Sequence, residues 1–259
     1  MLTISKPLSG GQVRTYHARE FVSEKAPYWR RDQQGHSKWQ GRVAQIWGLQ
    51  GAVGSEQFAR LTEGQHPETQ AQMVRHQPAK TYENEYGKEI TSVEHRAGWD
   101  PNFSAPKSVS LTALVGGDER VRDAHRESVR VALGELERYT QARIGTVQAP
   151  EVTGQFAAAT FEHDTARPVN GYAAPQLHIH AVIFNVTERA NGETRALQER
   201  GLFQIATVRD GVYRTELASG PAGARIRDRT RQTRRGELLV VSATGQGTRV
   251  TMVVPPTEH

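Results

Sequence analysis

The stretch PQLHIHAVIFN, residues 175–185, constrains the fold more than any other part of this 259-residue chain. Branched and aromatic residues run from Leu177 to Val186 between polar, turn-forming segments, which predicts a buried strand. Side chains two apart in a strand share a face, so His178 and His180 stand together on one side of it. A second apolar run, TGQFAAATF (153–161), predicts a neighbouring strand, joined to the first by the polar loop 164–174. His163 lies just beyond that run, and an antiparallel pairing would set it beside the other two imidazoles. Two readings follow. Three neutral imidazoles could hold a divalent cation and leave positions open for water or a phosphate oxygen. Alternatively, each histidine is separately satisfied by the core or by solvent.

Composition narrows the chemistry. The chain has no cysteine, which excludes disulfides, thiolate metal sites and thiol nucleophiles and leaves any metal to His, Asp or Glu. No run of about 18 apolar residues predicts a membrane span, and the N-terminal segment lacks the basic leader and apolar stretch of a secretion signal. A bacterial cytoplasmic protein is the expectation. The net charge of +5 is unevenly placed: seven arginines and three acids lie from residue 221 onward, leaving about +1 on the rest. Charge alone therefore does not argue that the folded body binds nucleic acid.

The patterning predicts a short helix over 10–23, with Val13, Tyr16, His17 and Phe21 on one face. A loop carrying aromatics follows over 24–41, then a short helix over 42–51. Ser55 is read as the cap of another short helix, reaching about Leu61 with Phe58 and Leu61 turned inward. Residues 64–92 are polar and poorly patterned. SVSLTALV (108–115) is β-rich and predicts a strand. The clearest helix is 118–139, with Val121, His125, Val129, Ala132, Leu136 and Tyr139 on its inner face; His125 is read as a packing residue. A further helix is expected over 208–218. Short connections between neighbouring strands point to one α+β domain over 1–218, a mostly antiparallel sheet flanked by helices. Residues 219–259 form an atypical basic tail, expected to be mostly loop or disorder.

Other candidate residues lie outside the strand pair. Tyr16 and Tyr28 carry hydroxyls whose ordinary pKa, about 10, makes them weak nucleophiles unless a base or cation activates them; on spacing alone Tyr16 reads first as a core aromatic. Asp100 precedes a strand, where its carboxylate could orient a ligand histidine, take a proton or cap the turn before Pro101. Ser104 and Ser108 flank Lys107 without the GxSxG setting of a serine nucleophile.

Four segments together carry a family resemblance: RTYHAREF, KWQGRVAQIWGLQG (38–51), DPNFSAPKSVSLTALV (100–115) and the pair FEHDTAR and PQLHIHAVIFN. The set resembles the relaxase domain of the MobF-class, TrwC-like conjugative relaxases, members of the HUH endonuclease superfamily, over about residues 1–218. The resemblance implies an antiparallel sheet flanked by helices, with a metal site on the sheet. It implies site- and strand-specific nicking of single-stranded DNA at a plasmid transfer origin. The reaction would be a metal-assisted tyrosine transesterification that leaves a 5′-phosphotyrosyl link and starts conjugative transfer. His163, His178 and His180 would be ligands of a divalent ion, with Mg²⁺ or Mn²⁺ expected first and Zn²⁺ as the alternative. Asp100 would be the acid beside them, Tyr16 the first nucleophile and Tyr28 the candidate second. Arg167 and Lys107 would contact DNA, and Trp29, Trp39 and Phe103 are the candidate platforms for bases. The implied partners are single-stranded and origin-of-transfer DNA, accessory DNA-bending proteins and a type IV secretion coupling protein, without membrane insertion.

The chain departs from that pattern in places. His17 stands where a second adjacent tyrosine is common, and Ala174 where an acid precedes the histidine pair. The loop from His163 to His178 is longer, and the end after residue 218 lacks the expected helix and Leu-Gly-Tyr strand. A frameshift near residue 219 would account for that end, and comparing the coding DNA in all three frames tests it. Other readings are a replication initiator or transposase with the same HUH site, a non-catalytic DNA-binding remnant, and a small-molecule three-histidine enzyme such as a cupin. A cupin needs a barrel and a glutamate soon after the His-x-His pair, and Glu188 lies too far along.

Overall fold

The structure, a computed structural model, describes residues 1–13, 37–75, 81–83, 86–87, 89–91, 95–145, 148–169, 173–219, 237–243 and 247–253. In chain order its elements are β1 (Leu2–Ile4), β2 (Leu8–Ser9), β3 (Ser37–Gln40), α1 (Arg42–Ile46), α2 (Ser55–Thr62), β4 (Thr81–Glu83), β5 (Glu89–Thr91), β6 (Arg96–Trp99) and β7 (Pro101–Ser104). Then come α3 (Lys107–Leu114), α4 (Glu119–Glu137), β8 (Gln141–Ala142), β9 (Glu151–Val152), β10 (Ala158–Thr165), β11 (Pro175–Phe184), β12 (Thr187–Glu188), β13 (Thr194–Arg195), α5 (Glu199–Ser219), β14 (Glu237–Ala243) and β15 (Gly247–Val253).

Among the described residues, seven strands make one antiparallel sheet, with β1, β7, β11, β10 and β3 side by side and β2 and β6 continuing off β11. The central strand is the apolar β11. Its pleat sorts the core into two layers. Leu177, Ile179, Ala181 and Ile183 pack with Phe103, Leu133 and Tyr213 against the α3, α4 and α5 side. On the other face, Val182 and Phe184 meet Trp39, Val43, Phe58 and Phe161, closed over by α1 and α2. That second face is apolar only at one end. At the other end the same side of the strand carries His178 and His180, half-buried. The sheet thus offers a polar platform backed by a dry core.

The amphipathic pattern over 118–139 forms α4, with Asp118 at the N-cap accepting from the Arg120 N–H and Val121, His125, Val129, Ala132 and Leu136 buried. Tyr139, past the last turn, is 46% exposed and leaves the expected face. Phe58 and Leu61 are buried as expected, although α2 begins at Ser55 itself with Gly54 in the cap position. Residues 10–13 are helical; the remainder of the expected first helix, with Tyr16, His17 and Phe21, lies outside the described residues.

Several expectations are corrected. Residues 108–115 form a helix, not a strand. There the Ser110 hydroxyl donates to the Pro106 carbonyl at 3.2 Å and Thr112 to the Ser108 carbonyl at 2.9 Å. The hydroxyls that favour extended chain are thereby satisfied inside the helix, while Ala105, Val109 and Ala113 supply a four-residue apolar spacing toward the core. The expected loop 24–41 contains the edge strand β3, ordered by its ladder to β10 from Ser37↔Phe161 to Gln40↔Ala158. The helix expected over 208–218 begins nine residues earlier, at Glu199. Within the tail expected to be loop, β14 and β15 pair as a hairpin, consistent with the β-branched content of both segments.

Candidate metal centre

Cross-strand register assembles the site. In the β10–β11 ladder His163 is the partner of His178 and Phe161 the partner of His180; in the β11–β7 ladder Ser104 pairs with His178 and Asn102 with His180. Alternation therefore sends His163, His178, His180, Asn102 and Ser104 to one face, while Phe103 turns to the core. The ring centroids form a nearly equilateral triangle: 5.1 Å for His163–His178, 5.4 Å for His163–His180 and 5.2 Å for His178–His180. A metal held about 2.1 Å from each ring nitrogen lies about 3.2 Å from each centroid, and tetrahedral angles then separate the centroids by about 5.2 Å. The triangle has that size. Among the described residues no group of three or more His, Asp or Glu side chains is placed to hold an ion as it stands: the three rings form an open cluster, with His163 and His178 stacked at 27° and His180 edge-on to both.

Hydrogen bonds fix which ring nitrogen carries the proton in two of the imidazoles. His178 Nδ1 donates to the Gln176 carbonyl at 2.9 Å, and His180 Nδ1 donates to Asp100 Oδ2 at 2.7 Å. Each bond places the ring proton on Nδ1 and makes Nε2 the nitrogen that carries the lone pair; the His180–Asp100 bond is the carboxylate–histidine arrangement that fixes tautomer and ring direction at metal sites. The Asn102 amide sits 3.3 Å from His180 Nε2. Its own oxygen accepts the Ser104 hydroxyl at 3.1 Å, which turns the NH₂ toward the imidazole. Burial, followed by the two neighbouring imidazoles, pushes His163 down to about 4. Burial also lowers His178, opposed by its bond to the Gln176 carbonyl. Both are neutral at pH 7, the state that coordinates a cation.

Asp100 is itself fastened. Its N–H donates to Ser5 Oγ at 2.9 Å, and the Ser5 N–H donates to its carbonyl at 3.1 Å. Asp100 Oδ1 is buried without a partner among the described residues, an uncompensated acceptor at the edge of the cluster. The carboxylate thus has one oxygen committed to orienting His180 and one to spare.

The sequence pattern of the TrwC relaxase family matches residues 10–244. The chain belongs to the TrwC relaxase family. The match extends past residue 218, where the resemblance read from the sequence stops. A structure of the conjugative relaxase TrwC with origin-of-transfer DNA, metal-bound, superposes with a TM-score of 0.70 at 29% identity, covering 96% of this chain and 75% of that one. A TrwC complex with a 27-mer DNA comprising the recognition hairpin and the cleavage site gives 0.67 at 29% identity, covering 96% and 74%. In sequence, the multifunctional conjugation protein TraI of Escherichia coli K12 is 36% identical over 222 residues, 85% of this chain. Those residues are 11% of TraI, so the chain spans about a tenth of that relative's length.

Membership of the relaxase family agrees with the expected fold, an antiparallel sheet with flanking helices. Of the expected site residues, His163, His178, His180 and Asp100 come together. Tyr16, Tyr28 and Trp29 lie outside the described residues. Lys107, exposed in the first turn of α3, donates to the Pro175 carbonyl at 2.6 Å and staples the start of β11; Arg167 is exposed on the loop after β10. Two expected base platforms are corrected: Trp39 is 8% exposed and Phe103 is fully buried, each a core residue on the inner side of its strand. Asn102 escaped the sequence reading, although its distance of two residues from Asp100 signalled a shared face. The open, helix-flanked sheet is also not the barrel that a cupin requires.

Proposed function

We propose that this chain is a site- and strand-specific DNA relaxase that nicks single-stranded DNA at a plasmid transfer origin and remains joined to its 5′ phosphate. The observation that carries this reading is the open triangle of three imidazoles, His180 oriented by Asp100, set on a polar sheet face in a member of the relaxase family. His163, His178 and His180 would hold a divalent ion, Mg²⁺ or Mn²⁺ before Zn²⁺; relatives of this fold have been seen metal-bound and copper-bound. When bound, the ion supplies charge stabilisation at the scissile phosphate and favours ionisation of a nearby phenol.

Tyr16 supplies the attacking oxygen. Its O–P bond forms as the P–O3′ bond breaks; the phenol gives up a proton and the leaving 3′ oxygen gains one. One phosphodiester is exchanged for another, so the strand can be rejoined by the reverse step without nucleotide hydrolysis. Asp100 orients His180, and its free oxygen is the available proton acceptor. Tyr28 is the second nucleophile for a later transfer, while Arg167 and Lys107 meet the DNA backbone. The nicking unit is residues 1–218, with 219–259 as a basic extension. The partners are origin-of-transfer DNA, accessory DNA-bending proteins and a type IV secretion coupling protein, met in the bacterial cytoplasm; among the described residues no helix is long and apolar enough to cross a membrane.

The deciding experiment incubates the protein with a random single-stranded DNA library and Mn²⁺, followed by a denaturing gel. A covalent DNA–protein band is expected that disappears with Tyr16→Phe or a chelator, and sequencing the captured DNA gives the nick site. Intact metal binding with no covalent band would overturn the enzyme reading in favour of a DNA-binding remnant.

A further inference from the structure

Of the three imidazoles, His163 lies closest to an irregularity in its own ladder. Its ladder pairing with His178 is the last regular step of β10, and the register shifts before Thr165↔Pro175. On the other edge, the described part of β3 pairs with Ala158 to Phe161. His163 therefore projects from the last regular step of the ladder to β11, just before the register slips.

A fork from the opposite side supplies the restraint. Glu162 and Asp164 flank His163 and point to the helix layer. Arg122, from α4, places Nη1 at 3.0 Å from Glu162 Oε1 and Nη2 at 2.8 Å from Asp164 Oδ2. Glu162 is almost wholly buried and is also held by Arg126 Nε at 2.6 Å. A planar guanidinium that reaches carboxylates two residues apart on one strand face fixes the twist between them, and with it the direction of the intervening Cα–Cβ bond.

We infer that Arg122 is a positioning residue for the metal centre, acting through Glu162 and Asp164 to hold His163 in register with His178 and His180. This rests on the three-histidine metal reading. Two variants separate it from a simple effect of charge. Arg122→Met removes a positive charge from the neighbourhood of the ion, and Asp164→Asn removes a negative one. Acting only through the local field, the first would tighten cation binding and the second weaken it. Acting as the two halves of one clamp, both weaken it, and together they weaken it no further than either alone. Glu162 keeps Arg126 in both variants, so no buried carboxylate is left unpaired.

The test titrates Mn²⁺ calorimetrically into the full chain, without DNA, for the wild type, Arg122→Met, Asp164→Asn and the double variant, with circular dichroism to verify the fold. Each single variant is expected to raise the Mn²⁺ Kd roughly tenfold, as for other residues that support metal ligands, and the double variant by about the same factor. Arg122→Lys, which reaches one carboxylate at a time, recovers part of the loss. Unchanged affinity in both single variants, or shifts of opposite sign, would overturn the inference. A wild-type chain that takes up no Mn²⁺ would overturn the metal reading and this inference with it.

Discussion

Asp100 and His180 meet across the sheet, Oδ2 to Nδ1 at 2.7 Å, with the carboxylate 15% and the imidazole 22% exposed. Partial burial of both partners keeps water from competing for the bond. Asp100→Ala frees the ring to rotate and removes the acceptor that selects its tautomer, so the Mn²⁺ Kd is expected to rise 10- to 100-fold. Asp100→Asn keeps an oxygen that accepts the Nδ1–H and should lose less. Calorimetric titration of both variants checks the order; equal affinities for wild type and Asp100→Ala would show that the carboxylate does not set the ring.

Phe103 lies between two residues of the polar face, Asn102 and Ser104, yet is fully buried, its ring meeting Tyr213 edge-on at a centroid distance of 5.6 Å. Truncating such a residue leaves a cavity that packed neighbours fill poorly. Phe103→Ala is expected to cost about 3–5 kcal/mol of stability, read as a lowered midpoint in urea, while the protein that remains folded binds single-stranded DNA as before. A variant with native stability and lost DNA affinity would return Phe103 to the role of a base platform.

How much of this was legible beforehand depended on whether local pattern or distant pairing decided the outcome. The β11 strand and its two imidazoles could be read from period-2 patterning, because a one-residue slip would bury the histidines and expose the isoleucines; its neighbour was expected over 153–161 from an apolar run, whereas β10 runs from Ala158 to Thr165 and itself carries His163. The long α4 was equally clear from its 3.6-residue apolar face. Trp39 and the α3 segment were not. Trp39 sits in a polar stretch that becomes a strand only by pairing with β10, about 120 residues away. In α3, Ser110 is buried because its hydroxyl accepts the Leu177 N–H at 3.1 Å, a tertiary bond that no local propensity encodes. The three imidazoles and Asp100 could be named as chemistry, whereas Asn102 and Arg122 emerged only once register and helix placement were known.

Gly98 occupies the closest approach of β6 to β11. A Cβ there would lie 2.2 Å from the Ile183 carbonyl oxygen and 3.3 Å from the Phe184 Cα, both backbone atoms that no side-chain rotation can move. Gly98→Ala must therefore push β6 away from the central strand, at a cost of about 1–3 kcal/mol. Asp100 follows two residues later, so Mn²⁺ affinity should fall along with stability. Gly134, on α4 with nothing near its position, provides the contrast: Gly134→Ala is expected to stabilise by up to about 1 kcal/mol and leave Mn²⁺ affinity unchanged. Thermal melts and metal titrations on the two variants check both halves.

His125 is wholly buried on α4, with Nδ1 3.1 Å from the Tyr213 hydroxyl and Nε2 without a partner among the described residues. Burial pushes it down to about 3, reinforced by the N-terminal amine, His178, Arg126 and Arg122, all of which disfavour a second positive charge. Tyr213 is pushed up by burial and stays neutral throughout the acid range, so it adds no slope of its own. The sign follows from proton counting. Below the ordinary histidine value of about 6.5 the unfolded chain binds a proton at this site and the folded chain does not, so stability falls as the pH drops, down to about 3. Full development of the effect is about 1.4 kcal/mol per pH unit. His125→Phe removes the titration while filling the same space. Other acid-labile groups act equally on wild type and variant, so the stability difference between them isolates His125. Urea unfolding at pH 7, 6, 5 and 4 should find the wild type losing ground to His125→Phe by about 1 kcal/mol for each unit below 6. Parallel pH profiles for the two proteins would show that His125 is not held neutral by its burial.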